Sequence, residues 1–296
     1  MILHSIQLLA GGETLFKKLF IALSMLLCNV GLFLNLGCGL NAPAPKPDIK
    51  LVAEGVVIEG HPVGGMSAEE VENLLKNIAK AKDVPAVNAG FHPENGEMMP
   101  ERLGQRLNVT ETRNALLAAD ANTPVTPVYQ PFLPDVTRDT LTHAHQLSTY
   151  TTPILDKSPG RLVNIQLTAK LINNTLIDPG QEFSFNKLTG EPTVSRGFQP
   201  APVFGDSGEK EQGLGGGMCQ VSSTLYNAVL AAELKVTERH PHSQPVAYVP
   251  PGKDATTYTD KDFRFLNNTR RRLITRAFVH EQGSKLTVDL WALPGA

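Results

Sequence analysis

Gly213-Leu214-Gly215-Gly216-Gly217-Met218-Cys219-Gln220-Val221-Ser222-Ser223-Thr224-Leu225-Tyr226-Asn227-Ala228-Val229-Leu230-Ala231-Ala232 is the stretch around which the chain is organised: a glycine run delivers a cysteine to the start of an apolar, alanine-rich helix. Glycine lets the backbone adopt positive φ and approach a ligand closely. The first turn of a helix carries unpaired N–H groups and partial positive charge, both of which favour a thiolate. A thiol so placed is a candidate nucleophile at neutral pH. The same residues also fit a small buried cysteine beside a tight turn, so the weight falls on what lies downstream.

Downstream, Arg239-His240-Pro241-His242-Ser243 supplies two imidazoles, and Gly252-Lys253-Asp254 supplies a carboxylate. A single thiol followed by histidine and aspartate is the generic pattern of a cysteine acyltransferase, with the imidazole as general base and the carboxylate as its orienter. His242 is the preferred base, because Pro241 fixes the chain next to it and Ser243 can hydrogen-bond its surroundings. His240 stays open as the alternative. Asp254 fits the orienter, although Gly-Lys-Asp is also an ordinary turn.

Three blocks, GGGMCQVSSTLYNAVLAAEL (residues 215–234), ERHPHSQPVAYVPPGKDAT (238–256) and DFRFLNNT (262–269), resemble the signature blocks of the VanW family of bacterial cell-envelope proteins. The resemblance extends upstream through Arg161-Leu162-Val163-Asn164-Ile165 and Pro179-Gly180-Gln181-Glu182-Phe183-Ser184-Phe185-Asn186, and covers residues 148–292. Some members are regarded as L,D-transpeptidases of peptidoglycan that use the cysteine of the GGG-x-CQ block, and many others have no assigned activity. The resemblance therefore implies peptidoglycan stem peptides as partners, no cofactor, and Cys219 as nucleophile. The backbone N–H groups around Gly216, Gly217 and Cys219 are candidate oxyanion donors. Gln220 fits an oxyanion contact or a helix cap equally well. Arg161 and Asn164 fall one turn apart on one helix face. Arg161 suits a bidentate contact to a substrate carboxylate or a structural salt bridge. Arg239 suits a stem-peptide carboxylate or a surface ion pair.

Of 296 residues 41% are hydrophobic and the formal net charge is −2, enough for a sizeable core and two domains. Residues 1–40 form an export segment: Lys17-Lys18 precede an apolar run from Leu19 to Leu36. Gly37-Cys38 then resembles the end of a bacterial lipobox, with Asn35 where leucine is usual, which implies lipidation of Cys38 and membrane attachment. The alternative is an uncleaved anchor, since ~18 apolar residues can just span a bilayer. The expected location is the cell envelope, facing the wall. With Cys28 inside the signal and Cys38 at its end, Cys219 is the one cysteine of the exported body, and no internal disulfide can form there.

The overall expectation is an α+β protein. Residues 41–51 read as a proline-rich tether. Residues 52–140 read as a small α+β module similar to the peptidoglycan-binding domains found ahead of VanW or YkuD-type transpeptidase domains; a plain spacer is the alternative. Its strands fall at Leu51 to Glu59 and Ala86 to Phe91, its helices after the capping box Ser67-Ala68-Glu69-Glu70 and over Thr110 to Ala119. Four prolines between Asn122 and Pro134 read as an extended segment before a boundary near 140. Residues 148–292 read as a mixed domain of helix and antiparallel sheet. A helix runs into Asn173-Asn174, strands fall at Glu182 to Asn186, Phe198 to Phe204, Val246 to Val249, Asp262 to Leu266, Leu273 to Val279 and Lys285 to Leu290, and residues 205–213 read as a lid loop.

Two other function classes find little support. Arg270-Arg271-Arg272 is a short basic run without interleaved aromatics, so nucleic acid is not an expected partner. His61, His92, His143, His145 and His280 lie in no metal-binding spacing, and HExxH and CxxC are absent. The contrasting reading is a non-catalytic module that grips peptidoglycan, or serves glycopeptide resistance, with the same cleft.

Overall fold

Ser67 opens the first helix as its residue type demands: its Oγ accepts the Glu70 N–H at 3.3 Å while Glu70 Oε2 accepts the Ser67 N–H at 2.8 Å. The computed structural model describes residues 50–204, 209–280 and 283–295. The export segment with Cys38, most of the tether, and residues 205–208 of the expected lid lie outside the described residues. Residues Ile49–Ala296 form one compact unit. Among the described residues no helix is long and apolar enough to cross a membrane.

In the first module, β1 (Val57–Ile58) turns back through Glu59-Gly60 onto β2 (His61–Pro62), and α1 (Ala68–Lys82) buries Val71, Leu75 and Ile78. β3 (Gly90–Phe91) pairs with β4 (Met98–Met99), and β5 (Gly104–Leu107) leads into α2 (Val109–Ala118), capped by Asn108. The strands are shorter than the apolar patterns suggest: only Val57–Ile58 and Gly90–Phe91 of the two expected stretches form them. The proline-rich stretch is not merely extended. It supplies β6 (Pro124–Val125), parallel to β1, and β7 (Tyr129–Phe132), antiparallel to β5.

Helix α3 (Arg138–Thr142) then leads to the second module. There β8 (His145–Pro153), α4 (Pro159–Ile172), β9 (Leu176–Ile177), β10 (Glu182–Ser184), α5 (Phe185–Thr189), β11 (Pro200–Phe204), β12 (Lys210–Leu214), α6 (Met218–Ala231), β13 (Lys235–Glu238), β14 (Arg264–Leu266), β15 (Leu273–Val279) and β16 (Lys285–Ala292) follow in order. The main sheet has the order β8-β16-β15-β9 and is antiparallel throughout; a smaller one has the order β10-β14-β13. The α+β architecture is as the sequence predicts.

Helices α4 and α6 share one core with the main sheet: Ile165, Ala169 and Ile172 meet Val221, Leu225 and Val229 above Leu286, Val288 and Leu290. Each of the valine, leucine and isoleucine side chains among them contributes about 1.5–3 kcal/mol on full burial. Hydroxyl groups tie α6 to β8 more closely, with Thr152 Oγ1 2.9 Å from Thr224 Oγ1 and Ser148 Oγ donating to Ala228 O at 2.7 Å. The first module packs onto this sheet through Phe91 and Leu141 against Ile274 and Leu293.

Three expectations are corrected. Phe185 and Asn186 do not extend a strand, because Ser184 Oγ accepts the Lys187 N–H at 3.1 Å and starts α5. Val246 to Val249 is irregular, bounded by Pro245 and Pro250, which lack the N–H a strand ladder needs. Residues 210–213 belong to β12, which pairs antiparallel with β11 rather than forming a loop.

Candidate active site

Two glycines set the start of α6. Gly217 has φ of 112°, and a Cβ there would lie 2.8 Å from Ile165 Cγ1 of α4; one on Gly216 would lie 2.7 Å from Pro202 O. Only a chain without side chains at these points can press the helix N-terminus against α4 and β11. Cys219, the second residue of α6, is thereby presented to a cleft of about 1100 Å³.

The Cys219 thiol lies 3.5 Å from Thr256 Oγ1 and 3.7 Å from Thr257 O, and the neighbouring His242 imidazole favours its ionised form. His242 Nδ1 lies 2.7 Å from Asp254 Oδ2, and the same oxygen accepts the His242 backbone N–H at 2.6 Å. An ionised carboxylate only accepts, so Nδ1 carries a proton and Nε2 is left for the thiol. The sequence thus joins three distant stretches into a thiol–imidazole–carboxylate line.

Electrostatics follow this geometry. Burial opposes a thiolate, but His242, with Thr256 and Thr257, outweighs it and brings Cys219 down to about 7. For His242, burial favours the neutral ring; the thiolate and the Asp254 carboxylate outweigh burial and raise its pKa. Burial also opposes ionisation of Asp254, yet the hydrogen bonds from His242 hold its pKa below the usual carboxylate value.

The family model described as VanW like protein matches residues 160–291. The uncharacterized protein YoaR of Bacillus subtilis (strain 168) is 33% identical over 230 residues, 76% of this chain and 75% of YoaR. The chain belongs to the VanW family. The Vancomycin B-type resistance protein VanW of Enterococcus faecalis (strain ATCC 700802 / V583) is 32% identical over 82 residues, 28% of this chain and 30% of that protein. No solved structure matches the chain.

Within this VanW-family cleft, the other residues singled out by sequence divide by what their hydrogen bonds leave free. Arg161 lines the cleft, donates from Nη2 to Gln220 Oε1 at 3.0 Å, and keeps a buried Nε with no hydrogen-bond partner. Gln220 spends both amide hydrogens on Thr152 Oγ1 (3.1 Å) and Pro153 O (2.9 Å). It therefore neither donates to an oxyanion nor caps α6; it orients Arg161. Asn164 is fully buried, with Nδ2 donating to Gln199 O and Gly216 O and Oδ1 accepting the Gln199 N–H. It clips the glycine turn and has nothing left for a substrate.

Arg239 stands behind Asp254, not in the cleft. Its Nε donates to Asp254 O at 2.7 Å, its Nη2 to Oδ1 at 2.9 Å, and its guanidinium lies over the Tyr226 ring. The expected substrate carboxylate is replaced by the chain's own. His240 turns away from the thiol to Glu238, with Nε2 2.9 Å from Oε1. His242 is thus the imidazole beside Cys219.

Sequence reasoning missed Thr256 and Tyr248. Thr256 carries a faint signal, since extended chain two residues beyond Asp254 faces the same way. Tyr248 carries none: it reaches His242 through the irregular turn bounded by prolines. Among the described residues no group of three or more His, Cys, Asp or Glu side chains gathers as metal ligands.

Proposed function

We propose that this chain is an exported cell-envelope enzyme, a cysteine L,D-transpeptidase of peptidoglycan, attached to the membrane through Cys38 or its apolar leader. The observation that carries the reading is the placement of Cys219 at a helix N-terminus, against an imidazole whose Nδ1 is held at 2.7 Å by Asp254. A relative named for vancomycin resistance supports the link to the cell wall.

In the first half-reaction the thiolate attacks the carbonyl carbon of the third stem residue. The C–S bond forms, the C–N bond breaks, and the departing D-alanine nitrogen takes its proton from His242 Nε2. The Met218 and Gln220 N–H groups donate to Gly215 O and Gly217 O, each at 3.0 Å, leaving the Cys219 N–H for the oxyanion. Arg161, oriented by Gln220, takes the carboxylate of the departing residue. An amine of a second stem then resolves the thioester and returns a proton to Nε2; water in its place gives L,D-carboxypeptidase trimming.

The test is incubation of residues 49–296 with disaccharide-tetrapeptide, read by mass. Dimer or trimmed tripeptide from the native sequence, and neither from Cys219→Ala, is the expected result. Unchanged tetrapeptide with folded protein overturns the reading and leaves a wall-binding module.

A further inference from the structure

Tyr248 lines the cleft beside the reacting atoms, and the acyl-transfer scheme gives it no task. Its hydroxyl lies 3.4 Å from His242 Nε2, and its ring stands edge-on to the imidazole at 6.5 Å between centroids. On its other side the phenol has Ser223 as a neighbour, whose Oγ accepts the Ala255 N–H at 2.9 Å. His242 in turn is fixed through Asp254. The phenol oxygen and Nε2 thus lie together on the wall of the cleft that also holds the thiol.

Since Nδ1 is occupied by Asp254, Nε2 must deliver every proton the reaction moves. The nitrogen that leaves in acylation, or attacks in deacylation, has to come within hydrogen-bond distance of Nε2. An atom about 3 Å from Nε2 on the open side also falls within reach of the phenol oxygen, and contacts of this kind tighten when substrate binds. That nitrogen carries a hydrogen that does not go to the imidazole. We infer that Tyr248 accepts this second N–H, turning the nitrogen lone pair towards His242 Nε2, and is a catalytic residue selective for amide and amine nitrogen. Burial keeps the phenol well above the ordinary tyrosine range, so it works as a neutral hydrogen-bonding group and not as a base.

The inference rests on the acyl-transfer reading and makes one demand that a structural tyrosine would not. An ester lacks the hydrogen that Tyr248 would accept. When thiolate attacks an ester, the C–S bond forms, the C–O bond breaks, and the alkoxide oxygen takes the proton from Nε2, with no second hydrogen to place.

The experiment compares full-length protein in detergent, native and Tyr248→Phe, on two substrates: the tetrapeptide stem, and the same stem with D-lactate replacing the terminal D-alanine. Thioester formation on Cys219 is followed by mass, and the pH profile of Cys219 alkylation serves as a control on the thiol–imidazole pair. Tyr248→Phe is expected to lower the amide rate about five- to tenfold, the loss of one modest hydrogen bond, while the ester rate and alkylation profile hold. Equal loss on both substrates, or a displaced alkylation profile, assigns Tyr248 to structure and overturns the inference, as does an amide rate left unchanged. Native protein that forms no thioester with either substrate sinks the acyl-transfer reading and this inference with it.

Discussion

Asp254 Oδ2 accepts two hydrogen bonds from His242, one from Nδ1 at 2.7 Å and one from the backbone N–H at 2.6 Å. The carboxylate thereby fixes both the tautomer of the ring and the path of the chain that carries it. Asp254→Asn keeps the size but offers a less basic acceptor, so the imidazolium partner of the thiolate is weakened. Alkylation of Cys219 in the native protein should follow a midpoint of about 7. In Asp254→Asn the midpoint should climb towards the free-thiol value of about 8.5, with acyl transfer down at least about a hundredfold. An unmoved midpoint would remove Asp254 from the site.

The same carboxylate carries a stability signature. Its folded-state pKa is lowered, so its contribution is complete above the unfolded value near ~3.9 and disappears as pH falls through the folded value. The gap in urea midpoint between native protein and Asp254→Asn should therefore be wide at pH 7 and shrink below about pH 4. A gap independent of pH would mean that packing, not ionisation, sets the difference.

The two histidines separate cleanly. His242→Ala removes the group that stabilises the thiolate and should slow alkylation near neutral pH, with loss of acyl transfer. His240→Ala breaks only the pairing with the partly exposed Glu238 and should leave both rates close to native. Full activity in His242→Ala with loss in His240→Ala would falsify this assignment.

What the sequence made legible was local. The capping box at Ser67 and Glu70, the buried face of α1, the helix opening at Cys219 and the strand Leu273–Val279 are all written in adjacent residues. Strand β8 was not, because the hydroxyls of Ser148 and Thr152 face α6 and erase the apolar alternation that marks a strand. Asn164, Gln220 and Arg239 resemble ligands because polar residues near a nucleophile usually are. Their donors are spent on Gly216 O, Pro153 O and Asp254, and that accounting exists only once the chain is folded.

Asn164 shows what such accounting costs. It makes three hydrogen bonds in full burial, to both backbone groups of Gln199 and to Gly216 O. Asn164→Ala leaves those backbone groups unpaired, at about 1–3 kcal/mol for each one stranded from water. A lowered melting temperature together with slower Cys219 alkylation is expected, since the released Gly216 no longer fixes the start of α6. Lost stability with native alkylation would show that the glycine turn holds itself.

Arg161 should declare itself through the charge of the substrate terminus. Its Nη2 is committed to Gln220, its Nε is buried without a partner, and it lines the cleft that contains Cys219. A guanidinium fixed on one side with donors free on the other suits a carboxylate, and such charge-assisted pairs are about twice as strong as neutral hydrogen bonds. Arg161→Ala should raise KM for tetrapeptide with a free terminal carboxylate roughly ten- to a hundredfold, as expected for the loss of a charged hydrogen bond. The amidated tetrapeptide, already lacking the charge, should lose far less. Gln220→Leu should reproduce part of the effect by releasing Nη2, without touching the thiol. Equal losses on both termini would place Arg161 in the frame of the cleft and leave the substrate carboxylate to another group.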